Sequence, residues 1–204
     1  MNSQESTRAE VLNLLECAPK LDDFDLVPAT SLQIRDFELE TSIKLPTEIR
    51  ELMDLCNGAL VKPGGICSLS EMVSAYSYFP KWMGKGWLPV ATDGCGDYYV
   101  LDTREIIQTS STHPIYFVDQ IDYDRGNYIV ASGLWEFLRF LLEDEILSNE
   151  NPIDPSTAEW DDSLKTWTNT NSKVYWPFNK NKVLEFDPDL AFYKGKVPFA
   201  WDLD

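Results

Sequence analysis

A single histidine, four cysteines, no long apolar run and no excess of positive charge define this chain of 204 residues by what it withholds. No apolar run approaches the roughly 20 residues needed to span a bilayer, and the region from Leu134 to Leu142 is broken by Glu136 and Arg139. No membrane helix is expected. The first residues, Met1-Asn2-Ser3-Gln4-Glu5, carry neither the basic nor the apolar segment of an export signal. Cys17, Cys56, Cys67 and Cys95 are too sparse for a disulfide framework, so the expected compartment is reducing and cytoplasmic.

The same scarcity narrows the chemistry. There is no Cys-x-x-Cys and no second histidine, which argues against a zinc site. No Walker loop is present, and Gly94-Cys95-Gly96 lacks the third glycine of a dinucleotide fingerprint, so no cofactor is expected. His113 stands directly before Pro114 at the edge of a predicted strand, the position of an ordinary loop-edge imidazole. Cys17, Cys56 and Cys67 fit buried apolar positions, whereas a reactive thiol needs an electropositive setting. Cys95 lies between Asp93 and Asp97, which disfavour its thiolate. The loop Asp119-Gln120-Ile121-Asp122-Tyr123-Asp124-Arg125-Gly126 lacks EF-hand spacing and its terminal glutamate, so turn chemistry is the simpler account than calcium. No spacing singles out a carboxylate pair for glycoside hydrolysis.

What is present is acid and aromatic ring. The formal charge is −17, and 25 acidic against 11 basic residues fall in residues 1–150, leaving 9 against 6 for the remainder. Such a field repels nucleic-acid phosphates and anionic lipid and speeds encounter with a basic partner, although solubility alone accounts for it equally well. With 44% apolar and 13% aromatic residues the chain can bury a full core as one domain with an extension. Seven tryptophans and nine tyrosines suit core packing first, and a sugar-stacking or peptide-binding face second.

Along the chain, Val11, Leu14 and Leu15 predict a helix from Ser6 to Cys17, ended by Pro19. Thr30 is placed to cap a second helix carrying Leu32, Ile34, Phe37 and Leu39. Pro46 opens a third, with Ile49, Leu52, Met53 and Cys56 on one face and Asn57-Gly58 as its stop. Short extended runs then begin at Ala59 to Val61 and Ile66 to Leu69, with a helical insert from Ser70 to Tyr78. Trp87 to Ala91, Tyr98 to Asp102, Pro114 to Val118 and Tyr128 to Ala131 predict strands of one antiparallel sheet. Ser132 is placed to cap a helix whose stripe of Leu134, Phe137, Leu138, Leu141 and Leu142 packs on that sheet. Beyond Glu150, Ser156 and Glu159 have the spacing of a capping box, Trp160, Leu164 and Trp167 share a helical face, and Val174 to Phe178, Val183 to Phe186 and Leu190 to Tyr193 read as added strands or a wrapping segment.

Several of these pieces share an order with a known group. Phe37-Glu38, Leu45-Pro46, Asn57-Gly58, Leu88-Pro89-Val90-Ala91, Asp93-Gly94-Cys95-Gly96-Asp97 with Tyr99 to Asp102, Pro114 to Phe117 with Asp119, and Trp135-Glu136-Phe137-Leu138 together resemble the SUKH superfamily in its SMI/KNR-like branch, over about residues 28–147. The resemblance implies an α+β fold, a single curved antiparallel sheet flanked by helices, without catalytic activity, that presents a face to a protein partner. In bacteria that partner is typically a toxin domain, often a nuclease; in fungi the branch acts as a regulatory scaffold. The expected organisation is an N-terminal helix and linker (1–27), the SMI/KNR-like domain (28–150) and a structured extension (151–204) packing on it. The leading expectation is an immunity protein docking a basic toxin through Asp93, Asp97, Asp119, Asp122 and Asp124, with Trp82 or Trp87 as aromatic anchors. A regulatory scaffold, and a sugar-binding module or enzyme using the aromatic extension, are the alternatives.

Overall fold

The computed structural model describes residues 3–17, 26–59, 64–104, 112–120, 127–150, 159–161, 166–168, 176–177 and 179–202. In chain order these form helices α1 (Ser3–Cys17), α2 (Ser31–Thr41) and α3 (Thr47–Met53), strand β1 (Gly65–Ile66), helices α4 (Leu69–Tyr78) and α5 (Pro80–Lys85), strands β2 (Trp87–Thr92), β3 (Tyr98–Asp102), β4 (Ile115–Val118) and β5 (Tyr128–Ala131), helix α6 (Leu134–Glu150), strands β6 (Glu159–Asp161) and β7 (Thr166–Thr168), and helix α7 (Lys180–Phe186). Short 3-10 turns follow at Pro188–Tyr193 and Ala200–Asp202. The class is α+β with an antiparallel sheet, as expected, and two compact units divide it: Lys20–Asn127, and Met1–Pro19 with Tyr128–Asp204.

In the unit of residues 20–127, the strands β1, β2, β3 and β4 are neighbours in that order, each antiparallel to the next. The pairing is Thr92 with Tyr98 at one end of β2 and β3 and Trp87 with Asp102 at the other, with an irregularity between Pro89 and Ala91. Val90, Val100, Leu101, Ile115 and Val118 are at most 1% exposed. Helix α3 supplies Ile49, Leu52 and Met53 to this core, with Cys56 just beyond its end, all four fully buried, as their spacing requires. Thr30 caps α2 in a reciprocal box with Gln33. The buried face of α2 is Ile34, Phe37 and Thr41; Leu32 and Leu39, the other apolar residues of the predicted helix, lie 56% and 72% exposed. The expected strand Ile66 to Leu69 is shorter, because Leu69 opens α4, whose N-terminus is capped by Ser68 and Glu71. Helix α5 had no counterpart among the expected elements; Pro80 begins it and Gly86, in the left-handed region, ends it.

In the unit of residues 1–19 and 128–204, α1 packs on α6 through Thr7, Val11 and Leu15, with Glu10 paired to Arg139 at 3.4 Å. Trp176 is buried, stacks on Phe140 and donates its indole N–H to the Val130 carbonyl at 3.1 Å. Ser132 does not cap α6: its hydroxyl and its amide both donate to the Asp187 carboxylate, at 2.6 and 2.7 Å. The expected helix around Trp160 to Trp167 is instead an antiparallel β6–β7 pair in which Trp160 faces Trp167 in register. Val183 to Phe186 and Leu190 to Tyr193 are helical rather than extended. Ser156, Val61, Val174 and Phe178 lie outside the described residues.

Candidate functional site

The β2–β3 turn gathers the acidic groups through its own backbone chemistry. Asp93 folds the loop as an Asx turn, its Oδ1 accepting the N–H of Cys95 at 2.8 Å and of Asp97 at 3.0 Å. Gly94 and Gly96 supply the positive φ angles, 78° and 112°, that the reversal needs. Asp97 in turn accepts the N–H of Gln120 at 2.8 Å, which ties the turn to the residues following β4. Asp119 immediately precedes Gln120, so three carboxylates, Asp93, Asp97 and Asp119, stand together at one end of the sheet. Burial raises the Asp97 carboxyl above its ordinary value; the Gln120 N–H lowers it, and the charges of Asp93 and Asp119 raise it again.

Beside the carboxylates runs a row of aromatic rings laid down by α4, α5 and the sheet. Tyr98, opening β3 next to Asp97, meets Trp82 edge-on at 5.4 Å and Phe79 at 5.7 Å. Phe79 stacks on Trp82 at 4.4 Å. Tyr78, the last residue of α4, is 76% exposed, off the buried stripe of Leu69, Met72, Ala75 and Tyr76. A cavity of about 340 Å³ opens among Tyr78, Phe79, Pro80, Lys81, Trp82 and Gln120. Gln120 therefore belongs to both features: it lines the aromatic cavity and its main-chain N–H holds Asp97, while its side-chain amide donates to the Val118 carbonyl at 3.4 Å.

Of the residues singled out from sequence, the structure brings together Asp93, Asp97 and Asp119. Asp122 and Asp124 lie outside the described residues. Trp82 is 1% exposed, so it forms the floor and wall of the site and is no surface anchor. Trp87 sits at the far end of β2 from Asp93, half-buried, with its indole N–H donated to Asp102 at 3.3 Å and Lys85 lying over its ring at 4.1 Å. The aromatic residues at the acidic end are Tyr78, Phe79 and Tyr98, and Gln120 joins them; none was singled out from sequence. The α4 register was the available signal, since it leaves Tyr78 outside the core stripe.

Among the described residues no group of three or more His, Cys, Asp or Glu is arranged to hold a metal ion, and no helix is long and apolar enough to cross a membrane. His113 is engaged: its Nδ1 lies 2.6 Å from the Glu48 carboxylate, both side chains being 12% exposed. Cys56 and Cys67 are buried, and burial pushes their thiols up to about 11 and about 12.

The acidic turn and the aromatic cavity thus stand at one end of a sheet of short antiparallel strands flanked by helices. Residues 28–139, just over half of the chain, match the SMI1 / KNR4 family (SUKH-1), and the chain belongs to that family. Domains of this family generally bind protein partners. No curated protein matches the chain.

Proposed function

We propose that this chain is a non-catalytic immunity protein that neutralises a cognate basic toxin domain, and that the acidic end of the sheet is its docking face. The observation that carries the reading is the convergence of Asp93, Asp97 and Asp119 beside the exposed Tyr78 and its cavity. Large rings surrounded by like charge suit a partner that supplies cations, because rings give the buried contact and the carboxylates steer the approach. Family membership supports a protein partner, and the net charge of −17 supports a basic one.

The test uses the full chain and a purified toxin domain encoded next to its gene. Association is measured by stopped flow at rising salt, for the parent and for the triple variant Asp93→Asn, Asp97→Asn, Asp119→Asn, which keeps an oxygen acceptor for the turn. The expected result is an association rate about tenfold or more lower at low salt, with a flatter salt dependence. Equal rates and equal salt slopes would remove this face from the interaction.

A further inference from the structure

The cavity beside Asp97 has a more particular composition than a generic contact patch. Its walls are the rings of Tyr78, Phe79 and Trp82 and the ring of Pro80, and its polar edge is Gln120. Phe79 and Trp82 stack with their planes only 20° apart, so the Phe79 ring is backed by the buried indole. Its volume of about 340 Å³ is at the small end of ligand pockets, suited to one side chain and not to a helix or strand. Just past Gln120 the Asp97 carboxylate spends one of its lone-pair sites on the Gln120 N–H, and Asp93 and Asp119 add negative charge. Trp82 is buried with an indole N–H that finds no acceptor among the described residues.

We propose that this cavity is the recognition pocket for a single arginine side chain of the protein partner, its guanidinium lying against the aromatic wall with its edge toward Asp97 and Gln120. The inference rests on the protein-binding reading above and names what the site would take from that partner. Arginine fits better than lysine on chemistry: its plane stacks on rings and its fork engages carboxylate and amide oxygens together, whereas an ammonium is a point charge that keeps its water. An acidic guest would be repelled by the three carboxylates, and a neutral apolar one would gain nothing from them. Lys81 lines the same cavity and is exposed, so it acts as a built-in competitor for the guest.

The probe is N-acetyl-arginine methylamide, titrated into the isotope-labelled full chain while the Trp82 indole and Gln120 amide signals are followed by NMR. Its neutral isostere, the citrulline derivative, and the lysine derivative are run in parallel. The arginine probe is expected to saturate in the millimolar range, with citrulline weaker by about tenfold and lysine intermediate. Asp97→Asn and Tyr78→Ala should each weaken the arginine probe about threefold or more, and Lys81→Ala, an exposed change with no core contact to lose, should strengthen it about twofold. Absence of saturable shifts with arginine, equal affinity for citrulline, or weaker binding in Lys81→Ala would overturn the proposal. The two readings fail separately: a toxin domain that binds with carboxylate-dependent rates while the arginine probe leaves the pocket silent sinks only this inference. A pocket that takes arginine in a chain that ignores every basic domain sinks only the immunity role.

Discussion

Asp187→Asn is expected to stabilise the unit of residues 1–19 and 128–204 at alkaline pH and to leave it unchanged at acid pH. Asp187 is 1% exposed and accepts two hydrogen bonds from Ser132, at 2.6 and 2.7 Å. Burial nonetheless pushes its carboxyl up from 3.8 to about 6, with the Asp189 charge adding to the rise and the Ser132 bonds opposing it. Glu136, in the first turn of α6, is pushed to about 7 by burial and then by the Asp187 charge itself. At about 1.4 kcal/mol per pH unit, the Asp187 rise amounts to about 3 kcal/mol of lost stability once the group is ionised. A carboxyl that holds its proton more tightly folded than unfolded contributes stability that is complete below about pH 4 and is lost as pH rises through about 6. The asparagine keeps the geometry: its Oδ1 accepts the Ser132 N–H, and its amide donates to the Ser132 hydroxyl. Removing the charge also relieves Glu136, so part of that group's alkaline penalty goes with it. Urea unfolding followed by tryptophan fluorescence from pH 3 to 8, with hydrogen exchange at the Ser132 amide as the local readout, should show the variant ahead by about 1–3 kcal/mol at pH 8 and level with the parent near pH 3, below both the unfolded and the folded value of Asp187. Parallel curves for the two proteins, or a constant loss at every pH, would show that the carboxylate serves as a net stabilising acceptor and refute the reasoning.

Two other outcomes follow from the packing. With Cys17→Ser as background, a thiol reagent at pH 8 should modify Cys95, exposed in the β2–β3 turn, while Cys56 and Cys67 react about a hundredfold or more slowly until the chain is unfolded, because their thiols are buried and held at about 11 and about 12. Gly64→Ala and Gly84→Ala should move stability in opposite directions in chemical denaturation: a Cβ at Gly64 would stand 1.8 Å from the Thr92 carbonyl oxygen and 2.6 Å from the Gly94 nitrogen, forcing β1 off β2 at about 1–3 kcal/mol. A Cβ at Gly84 meets nothing within 4 Å and gains about 0.5–1 kcal/mol in helix α5.

The elements that could be read from sequence are those where only one buried face is consistent with the apolar spacing. In α3 and the turn after it, Ile49, Leu52, Met53 and Cys56 leave no alternative stripe, and all four are fully buried. In α2 two stripes compete: Leu32 and Leu39 are seven apart, and so are Ile34 and Thr41 with Phe37 between them. The second set faces inward with α4 as neighbour, and the threonine is accommodated because its hydroxyl donates to the Phe37 carbonyl at 2.8 Å. Trp160 and Trp167 show the same ambiguity between element types. A seven-residue separation puts two side chains on one helical face, and it also puts two residues opposite each other across a short hairpin, which is the arrangement found. Val183 and Phe186 look like strand residues, yet Asn179 accepts the Lys182 N–H and starts a helix, a cap signal that apolar composition outweighed.

The site divides along the same physical line. Carboxylates flanking glycines announce themselves, because Asp-Gly sequences make turns and turns stand at the surface; Asp93 and Asp97 could be found in that way. Aromatic residues announce nothing about exposure, since the same ring is core in one register and contact surface in another. Trp82 and Tyr78 are four residues apart, with the α4 to α5 break at Pro80 between them, and they end 1% and 76% exposed. That break resets the helical phase, so the α4 stripe of Leu69, Met72, Ala75 and Tyr76 places Tyr78 outside the core while saying nothing of Trp82. The proline that obscured the aromatic row in the sequence is the residue that builds the pocket, because the chain must bend there for Tyr78 and Trp82 to line one cavity with Phe79 and Pro80 between them.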